Sequence, residues 1–339
     1  MTTFDNVRVP VISVNKKLID GPWGGGNRFL KQLKDSGLCT VIHELDAAAD
    51  LLLILDARES DQNTFSVREA LPYGLKYDIP LVVRINETYE RNQIIYGVLS
   101  FVFAGLASDV AVYVSEWQAS RWYFRLVRGR IIPNGTSSPL VVNLPRCPGR
   151  PISMVTHHWG NHYNKGWDIY KYIDEYLVPT GAVIFTFIGN VNPDFSLENS
   201  VVKGPLSGDD LIVELKSHDI YITGSRFEPG PNHVIEALEC GLPILYRKDP
   251  TLDEYLGKTK LAYSFLSSDE LPILVEKINS IFQWRKSVQF FGLVDISEYL
   301  TLGKEGSRAC RVKKFIGLYF LETLYLVRQI YLGIKRQRF

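Results

Sequence analysis

Cysteine is scarce in this sequence, and its scarcity limits the chemistry that the chain can carry. The four cysteines among 339 residues, Cys39, Cys147, Cys240 and Cys310, lie far apart, and no Cys-x-x-Cys pair occurs. This spacing gives no support to a zinc ribbon or to thioredoxin-type redox chemistry. Four cysteines are also too few for a disulfide scaffold, so a reducing compartment, the cytoplasm, is predicted.

The chain also lacks a large net charge of either sign. Lys and Arg total 38 while Asp and Glu total 37, which leaves a formal charge of +1. Because no overall positive field exists to attract phosphate backbones, nucleic acid is not predicted as a partner. The composition is 46% apolar and can bury a sizeable core. At about 100–200 residues per domain, the length favours two domains.

Little in the sequence predicts a membrane protein. The first residues lack a cationic segment followed by a long apolar one, so we expect no signal peptide. One apolar run, residues 94–114, is long enough to span a bilayer but contains Asp109. A charged residue at the bilayer centre costs about 2.5–3.5 kcal/mol. The run is therefore predicted to be a buried helix followed by a buried strand.

Short apolar runs alternate with helical patterns along most of the chain, which predicts parallel strands covered on both faces. A segment rich in proline, glycine and serine interrupts the alternation, which then restarts. The sequence thus predicts an α/β protein with two Rossmann-like, doubly wound domains facing a cleft. The predicted divisions are an N-terminal domain (1–140), a linker (141–150), a second domain (151–310) and a basic, apolar C-terminal helix (311–339).

The C-terminal segment, residues 311–339, is apolar on more than one face and basic at both ends. Two interpretations stay open from the sequence. The segment is either a long helix that packs back across the two domains, or an interfacial helix that lies on anionic lipid as a peripheral membrane contact. The two interpretations are compatible with each other.

A glycine run after the first predicted strand is the first candidate site. The sequence GPWGGGNRFLKQL, residues 21–33, places Gly24, Gly25 and Gly26 where a helix is predicted to begin. Glycines let backbone N–H groups approach a phosphate, and a helix N-terminus adds partial positive charge. The run matches neither the dinucleotide-binding nor the Walker A pattern, so a tight turn without a ligand explains it equally well.

The strongest signal is a pair of glutamates in TGSRFEPGPNHVIEALECGLPILY, residues 223–246. Proline is suited to the first turn of a helix, so Glu228 is predicted in the loop before a helix and Glu236 within it. The helix N-terminus (Pro231, Asn232, His233) would then point its free N–H groups into the cleft, where a diphosphate could accept hydrogen bonds from them. Carboxylates accept hydrogen bonds from neighbouring sugar hydroxyls. The alternative is a solvated acidic helix start, which is common for glutamate.

This E-x7-E frame resembles the donor-site motif of retaining GT-B glycosyltransferases of family 4, the glycosyl transferases group 1. Further segments resemble that family in the family's own order, and together they cover residues 4–300. They are GPWGGGNRFL, VAVYVSEWQ, IIPNGT, HHWGNHYNKGWDIY and AVIFTFIGN. The resemblance implies a GT-B fold, retention at the anomeric carbon and independence from metal. It also implies that residues 1–140 form the acceptor domain and residues 151–310 the nucleotide-sugar donor domain.

The resemblance also implies roles for individual residues. Lys165 would neutralise the donor diphosphate, and His158 stands near the position where the family often has an arginine. Glu236 would bind the ribose hydroxyls. Glu228 and the backbone of residues 230–232 would hold the sugar. Asn86 follows the fourth strand, where the family commonly has a histidine, and is grouped with Glu228 as catalytic.

No Asp-x-Asp sequence occurs, so a metal-bridged diphosphate is not supported, and neither a metal nor another cofactor is predicted. The resemblance implies a retaining glycosyltransferase that moves a sugar from a nucleotide-diphosphate sugar to a glycan or lipid-linked glycan. A sugar-nucleotide epimerase on the same architecture and a nucleotide-sugar-binding protein that has lost catalysis are the alternatives.

Overall fold

The computed structural model describes most of the chain at the level of individual contacts. The described residues are 8–19, 21, 24–135, 140–143, 151–257, 259, 261–281, 286–290, 296–305 and 311–336. Within them the chain forms two six-stranded parallel sheets, one small antiparallel sheet and two C-terminal helices.

The first half of the chain supplies the first sheet and its helices. In chain order these are β1 (Val11–Val14), α1 (Gly25–Asp35), β2 (Thr40–Ile42), β3 (Leu51–Ile54), α2 (Val67–Tyr77), β4 (Leu81–Ile85), α3 (Tyr89–Asn92), α4 (Ile95–Ala107), β5 (Val110–Tyr113), α5 (Glu116–Ala119) and β6 (Gly129–Ile131). The strands lie in the order β2-β1-β3-β4-β5-β6. β3 and β4 are buried along their whole length, as expected for a parallel sheet with helices on both faces.

The rest of the chain supplies the remaining elements. These are β7 (Leu140–Asn143), β8 (Ile152–His158), α6 (Trp167–Tyr172), β9 (Val183–Gly189), β10 (Val201–Lys203), α7 (Gly208–Lys216), β11 (Ile220–Thr223), α8 (Asn232–Glu239), β12 (Ile244–Arg247), α9 (Pro250–Leu256), β13 (Ala262–Phe265), α10 (Leu271–Glu276), α11 (Ile278–Ile281), β14 (Lys286–Phe290), α12 (Ile296–Glu305) and α13 (Arg311–Arg336). The second sheet has the order β10-β9-β8-β11-β12-β13.

The strand orders determine where a ligand can bind. In the first sheet the order reverses between β1 and β3, and in the second between β8 and β11. Open α/β sheets bind ligands at the carboxyl ends of the strands beside such a reversal. The glycine run follows β1, and the loops that carry Lys165 and Glu228 follow β8 and β11. The predicted α/β fold with two doubly wound domains is confirmed.

The apolar run 94–114 forms α4 and β5, as predicted. Asp109, the charge that interrupts it, accepts a hydrogen bond from the backbone N–H of Leu81 at 2.8 Å and pairs with Lys314 at 2.7 Å. The carboxylate therefore has partners in the protein interior. Among the described residues, no helix combines the length and the apolar character needed to cross a bilayer.

The C-terminal helix α13 packs on α4 and α2 of the first domain. Packing of this helix across both domains stays a prediction. α4 is apolar nearly all round and needs cover on the side away from the sheet, which α13 provides. Basic residues contribute to the contact, because Lys314 pairs with Asp109 and the Arg328 side chain donates to the Glu59 carbonyl. Membrane contact through exposed residues of α13, such as Tyr319 and Leu326, stays a prediction.

The packing of α13 depends on Gly317. A Cβ atom at this position would lie 2.5 Å from the Cβ and 2.8 Å from the Cα of Ala107. We expect Gly317→Val to lower the free energy of unfolding by about 1–3 kcal/mol, the usual cost of overpacking, when it is measured by urea denaturation. Thr323→Val introduces the same side chain at an exposed position of the same helix and should change stability by less than about 0.5 kcal/mol. Equal effects of the two variants would contradict this packing.

Two predicted boundaries fall differently in the structure. Residues 141–143 of the predicted linker belong to β7, which pairs with the distant β14 in an antiparallel sheet. Residues 144–150 lie outside the described residues. α12 lies within the stretch assigned to the donor domain, but its Ile296, Tyr299 and Leu302 belong to the hydrophobic core around β1 and β3. The chain therefore returns to the first domain before α13 begins.

Candidate active site

Two adjoining cavities lie in the cleft between the sheets. The larger, of about 720 Å³, is lined by both halves of the chain and includes Lys165, Glu228 and Glu236. The smaller, of about 310 Å³, is lined mainly by the first domain and includes Asn86. Ligand sites typically occupy about 300–1,000 Å³, so the cleft has room for a nucleotide sugar with an acceptor beside it.

The glycine run opens α1, as predicted. Gly24 is the N-cap, and Gly24 and Gly25 line both cavities while Gly26 lines the smaller one. The side chain of Asn27 accepts from the N–H of Ile19 at 2.9 Å and donates to its carbonyl at 2.7 Å, which closes the loop. A Cβ at Gly25 would lie 2.1 Å from the Asn232 side-chain nitrogen. The glycines thus allow the two domains to approach closely.

Glu228 lies in the loop after β11, and its buried carboxylate forms an ion pair with the buried ammonium of Lys165. Lys165 ends a short 3₁₀ helix that follows β8. Burial acts to raise the pKa of Glu228, but the charges of Lys165 and Arg91 outweigh it and hold that pKa well below its usual range. Glu228 is therefore a fixed negative charge at the centre of the cleft.

The residue before Glu228 adopts an unusual backbone. Phe227 has φ of 57°, a left-handed conformation that is uncommon for a residue with a side chain. Its N–H donates to the Asp249 carboxylate at 2.7 Å, and its ring stacks on Trp117 of the first domain. This turn sends the chain back toward Lys165. Such local strain is often found at functional sites, and the sequence alone does not reveal it.

Glu236 lies in the second turn of α8 and lines the larger cavity. His157 donates to it at 2.8 Å, and Arg28 of α1 donates to it at 3.1 Å from across the cleft. Desolvation acts to raise its pKa, but His157 and Arg28 hold the pKa of Glu236 at about 2. Arg28 also binds Glu239 at 2.7 Å. Neither Arg28 nor His157 was recognised as a site residue from the sequence.

The residues between the two glutamates are divided between the cavity and the interior. Gly230 and Asn232 line both cavities. Pro231 is buried at the N-cap of α8. A Cβ at Gly230 would lie 2.5 Å from the Asn134 side-chain nitrogen, so glycine permits the first domain to approach here too.

His158 ends β8 and lines the larger cavity, but it is almost fully buried. Its Nε2 lies 2.5 Å from the Tyr170 hydroxyl. Burial lowers the pKa of His158 well below its usual value, so the ring is neutral at pH 7. It therefore does not supply the positive charge of the family's arginine. Its assignment to donor binding stays a prediction, limited to neutral hydrogen bonding.

His233, at the start of α8, predicts a pH dependence of stability. Burial lowers its pKa from 6.5 to about 3, so the folded protein leaves this ring neutral where the unfolded chain binds a proton. Between pH 6.5 and 3, each unit of acidification therefore lowers the free energy of unfolding by about 1.4 kcal/mol. We expect His233→Gln to reduce the slope of urea-measured stability against pH by about that amount below pH 6.5. An unchanged slope would contradict a buried neutral His233.

Asn86 follows β4, as predicted, and its side chain donates to the Leu55 carbonyl at 3.4 Å. The surrounding wall of the smaller cavity is strongly charged. It contains Lys16, Asp56, Arg58, Arg84, Glu87 and Arg91. The Arg58 guanidinium donates two hydrogen bonds of 2.8 Å to the Asp56 carboxylate. Asn86 is thus a neutral group between charged neighbours.

Several hydrogen bonds join the domains beside the cavities. The Glu254 carboxylate of α9 accepts from the backbone N–H groups of Glu116 and Trp117 at the start of α5, at 2.9 and 3.3 Å. The Tyr255 hydroxyl donates to the Val114 carbonyl at 2.7 Å and accepts from the Asn134 N–H at 2.8 Å. The segments that resemble the family's Ser-Glu and Pro-Asn-Gly motifs therefore fix the position of the second domain.

In the part of the chain that the structure describes, no group of three or more His, Cys, Asp or Glu side chains is arranged to hold a metal ion. The described cysteines, Cys39 and Cys240, are free thiols. Independence from metal stays a prediction.

Residues 196–289, which include both glutamates, match the family model described as glycosyl transferases group 1. The chain resembles the solved structure of sucrose-phosphate synthase from Thermosynechococcus elongatus, with 15% identity, a TM-score of 0.54, and coverage of 96% of this chain and 100% of that one. It also resembles Anabaena Alr3699/HepE in complex with UDP and glucose, with 15% identity, a TM-score of 0.55 and the same coverage. No curated protein sequence matched the chain.

These comparisons show that the fold is GT-B, and the family match identifies a glycosyltransferase domain within the second half of the chain. The predicted enzyme class, a glycosyltransferase, is confirmed at that level.

Proposed function

We propose that the protein is a retaining glycosyltransferase that moves a sugar from a nucleotide-diphosphate sugar to a glycan or lipid-linked glycan. The observation that carries the proposal is the cluster of Glu228, Lys165 and Glu236 at the carboxyl ends of β8 and β11, facing the glycine loop across the cleft. In this arrangement Glu236 binds the ribose, Lys165 the diphosphate and Glu228 the sugar ring.

The chemistry requires that the leaving diphosphate be stabilised as the bond to the anomeric carbon breaks. Lys165 is buried, and a preorganised charge in a site that excludes water is most effective at that task. The backbone N–H groups near Gly230 and the glycine loop supply further donors. The acceptor enters through the smaller cavity, whose wall carries Asn86.

The proposal is tested by measuring the thermal stability of the protein with UDP, GDP, ADP, dTDP and CMP and their sugars. UDP comes first, because Alr3699/HepE was solved with UDP and with UDP-glucose. A ligand at 100 times its dissociation constant stabilises the protein by about 2.7 kcal/mol. The donor found is then incubated with candidate acceptors, and the anomeric configuration of the product is read by NMR. An inverted product would contradict retention.

Binding of a nucleotide sugar without transfer to any acceptor would favour the alternative of a degenerate binding protein. The neutral ring of His158, where the family often has an arginine, is the observation that keeps this alternative open.

A further inference from the structure

The donor site has a shortage of positive charge on the side of the second domain. A diphosphate brings about two negative charges, and the Lys165 ammonium facing it is already paired with Glu228. Burial lowers the pKa of both His158 and His233, which leaves those rings neutral. Arg28 reaches the same cavity but is held by Glu236 and Glu239. Lys216 of α7 also lines this cavity but is exposed, so a further cation from the first domain would strengthen binding of the diphosphate.

Arg91 of the first domain lies where that cation is needed. It lies in α3, the short helix after β4, and lines both cavities. Its guanidinium approaches the Glu87 carboxylate at 3.7 Å, longer than a hydrogen bond. Its Nε is buried and has no hydrogen-bond partner within the part of the chain that the structure describes. The donors of Arg91 are thus incompletely used.

The charge of Arg91 reaches the centre of the site. Together with Lys165, Arg91 holds the pKa of Glu228 low. Burial lowers the pKa of Lys165, Glu228 raises it, and the positive charge of Arg91 lowers it further. Arg91 and both members of the buried pair line the same cavity.

A hydrogen-bonded contact fixes the backbone of Arg91 to the second domain. The side-chain amide of Asn164 donates to the carbonyls of Glu90 at 3.0 Å and Arg91 at 3.1 Å. Asn164 immediately precedes Lys165, and its own carbonyl accepts from the N–H of Arg226, two residues before Glu228. One residue therefore ties the Arg91 turn to both loops of the donor site.

We propose that Arg91 is a catalytic residue of the first domain that binds the donor diphosphate opposite Lys165, in place of the arginine that the family often has near the position of His158. This inference rests on the proposed function. As the bond between the anomeric carbon and the diphosphate oxygen breaks, its electron pair stays on that oxygen. The acceptor oxygen bonds to the anomeric carbon, and its hydroxyl proton passes to the departing diphosphate. Arg91 and Lys165 neutralise the charge that develops.

Placing one of the two cations on the first domain has a functional consequence. The leaving group is fully neutralised only when the domains are closed, as they are here through Asn164. An open enzyme that has bound donor alone would cleave it slowly, which protects the nucleotide sugar from hydrolysis.

The test compares the affinities of a nucleoside diphosphate and the matching monophosphate, UDP with UMP first and then the GDP and ADP pairs, by calorimetry on the full chain. We expect Arg91→Gln to weaken diphosphate binding about tenfold or more and to leave monophosphate binding within about threefold. Transfer should fall about 100-fold in kcat, with partial rescue by Arg91→Lys. Arg125→Gln makes the same substitution at an exposed arginine of the first domain that lines neither cavity, and it should change neither the diphosphate-to-monophosphate ratio nor kcat.

The outcomes separate the inference from the proposed function. If the wild type binds no nucleoside diphosphate, both are overturned. If it binds one and Arg91→Gln leaves the diphosphate-to-monophosphate ratio unchanged, the role of Arg91 alone is overturned.

Asn164 is a positioning residue in this scheme. Asn164→Ala should lower kcat by acting through Arg91, so the double variant with Arg91→Gln should be no slower than Arg91→Gln alone. Additive losses would show that Asn164 acts independently of Arg91.

Discussion

Replacing Glu228 by glutamine is expected to lower kcat for sugar transfer by about 100- to 1,000-fold, the effect typical of losing one electrostatic contact in a preorganised site. Glutamine keeps the shape of the side chain but removes its charge. The charge matters twice, because the carboxylate is proposed to hold the sugar and because it is the buried counter-ion of Lys165. Without it, the lysine cannot remain buried and charged in the same position.

The same substitution should be visible in stability. Removing one partner of a buried ion pair costs about 3–5 kcal/mol, so Glu228→Gln should unfold at a lower urea concentration. Lys165→Met, which removes the other partner, should also destabilise the protein, and the double variant should be more stable than the two losses predict. This non-additivity separates a broken pair from general misfolding.

A matched control is available in the same domain. Glu214 is ion-paired with Lys203 at 2.7 Å and lies 3.1 Å from His218, but it lies on the helix α7 and not in the wall of either cavity. Glu214→Gln should keep kcat within about threefold. A Glu228→Gln protein that is folded and transfers sugar at the wild-type rate would remove Glu228 from the mechanism.

The sequence predicted the sheets well because buried parallel strands are recognisable locally. Residues 51–54 are a continuous apolar run, and residues 81–85 are apolar except for Arg84. Both lie between helical patterns, so neighbouring residues suffice to identify them. The stretch 140–143 was missed because its surroundings are rich in proline and its partner strand, residues 286–290, is distant in the chain. A strand whose pairing is so remote carries little local signal.

The same reasoning applies to the candidate site. The positions of Glu228 and Glu236 before and within a helix follow from proline placement and were predicted. Arg28 and Arg91 were not, because each becomes part of the site only when the two domains meet across the cleft. Local sequence patterns do not encode which residue of one domain will face a given residue of the other.

Glu236→Ala is expected to weaken nucleotide binding by about 10- to 100-fold, because hydrogen bonds to a charged group contribute about 1.5–3 kcal/mol. The low pKa of Glu236, about 2, keeps it ionised and ready to accept two bonds from the ribose. Glu239→Ala is the matched control, since Glu239 lies on the same helix and binds the same Arg28 at 2.7 Å. It should leave affinity within about threefold. Calorimetric titration of both variants with the nucleotide that binds the wild type distinguishes the alternatives: equal losses would mean that the ion pairs of Arg28 across the cleft, and not a contact of Glu236 with ribose, govern binding.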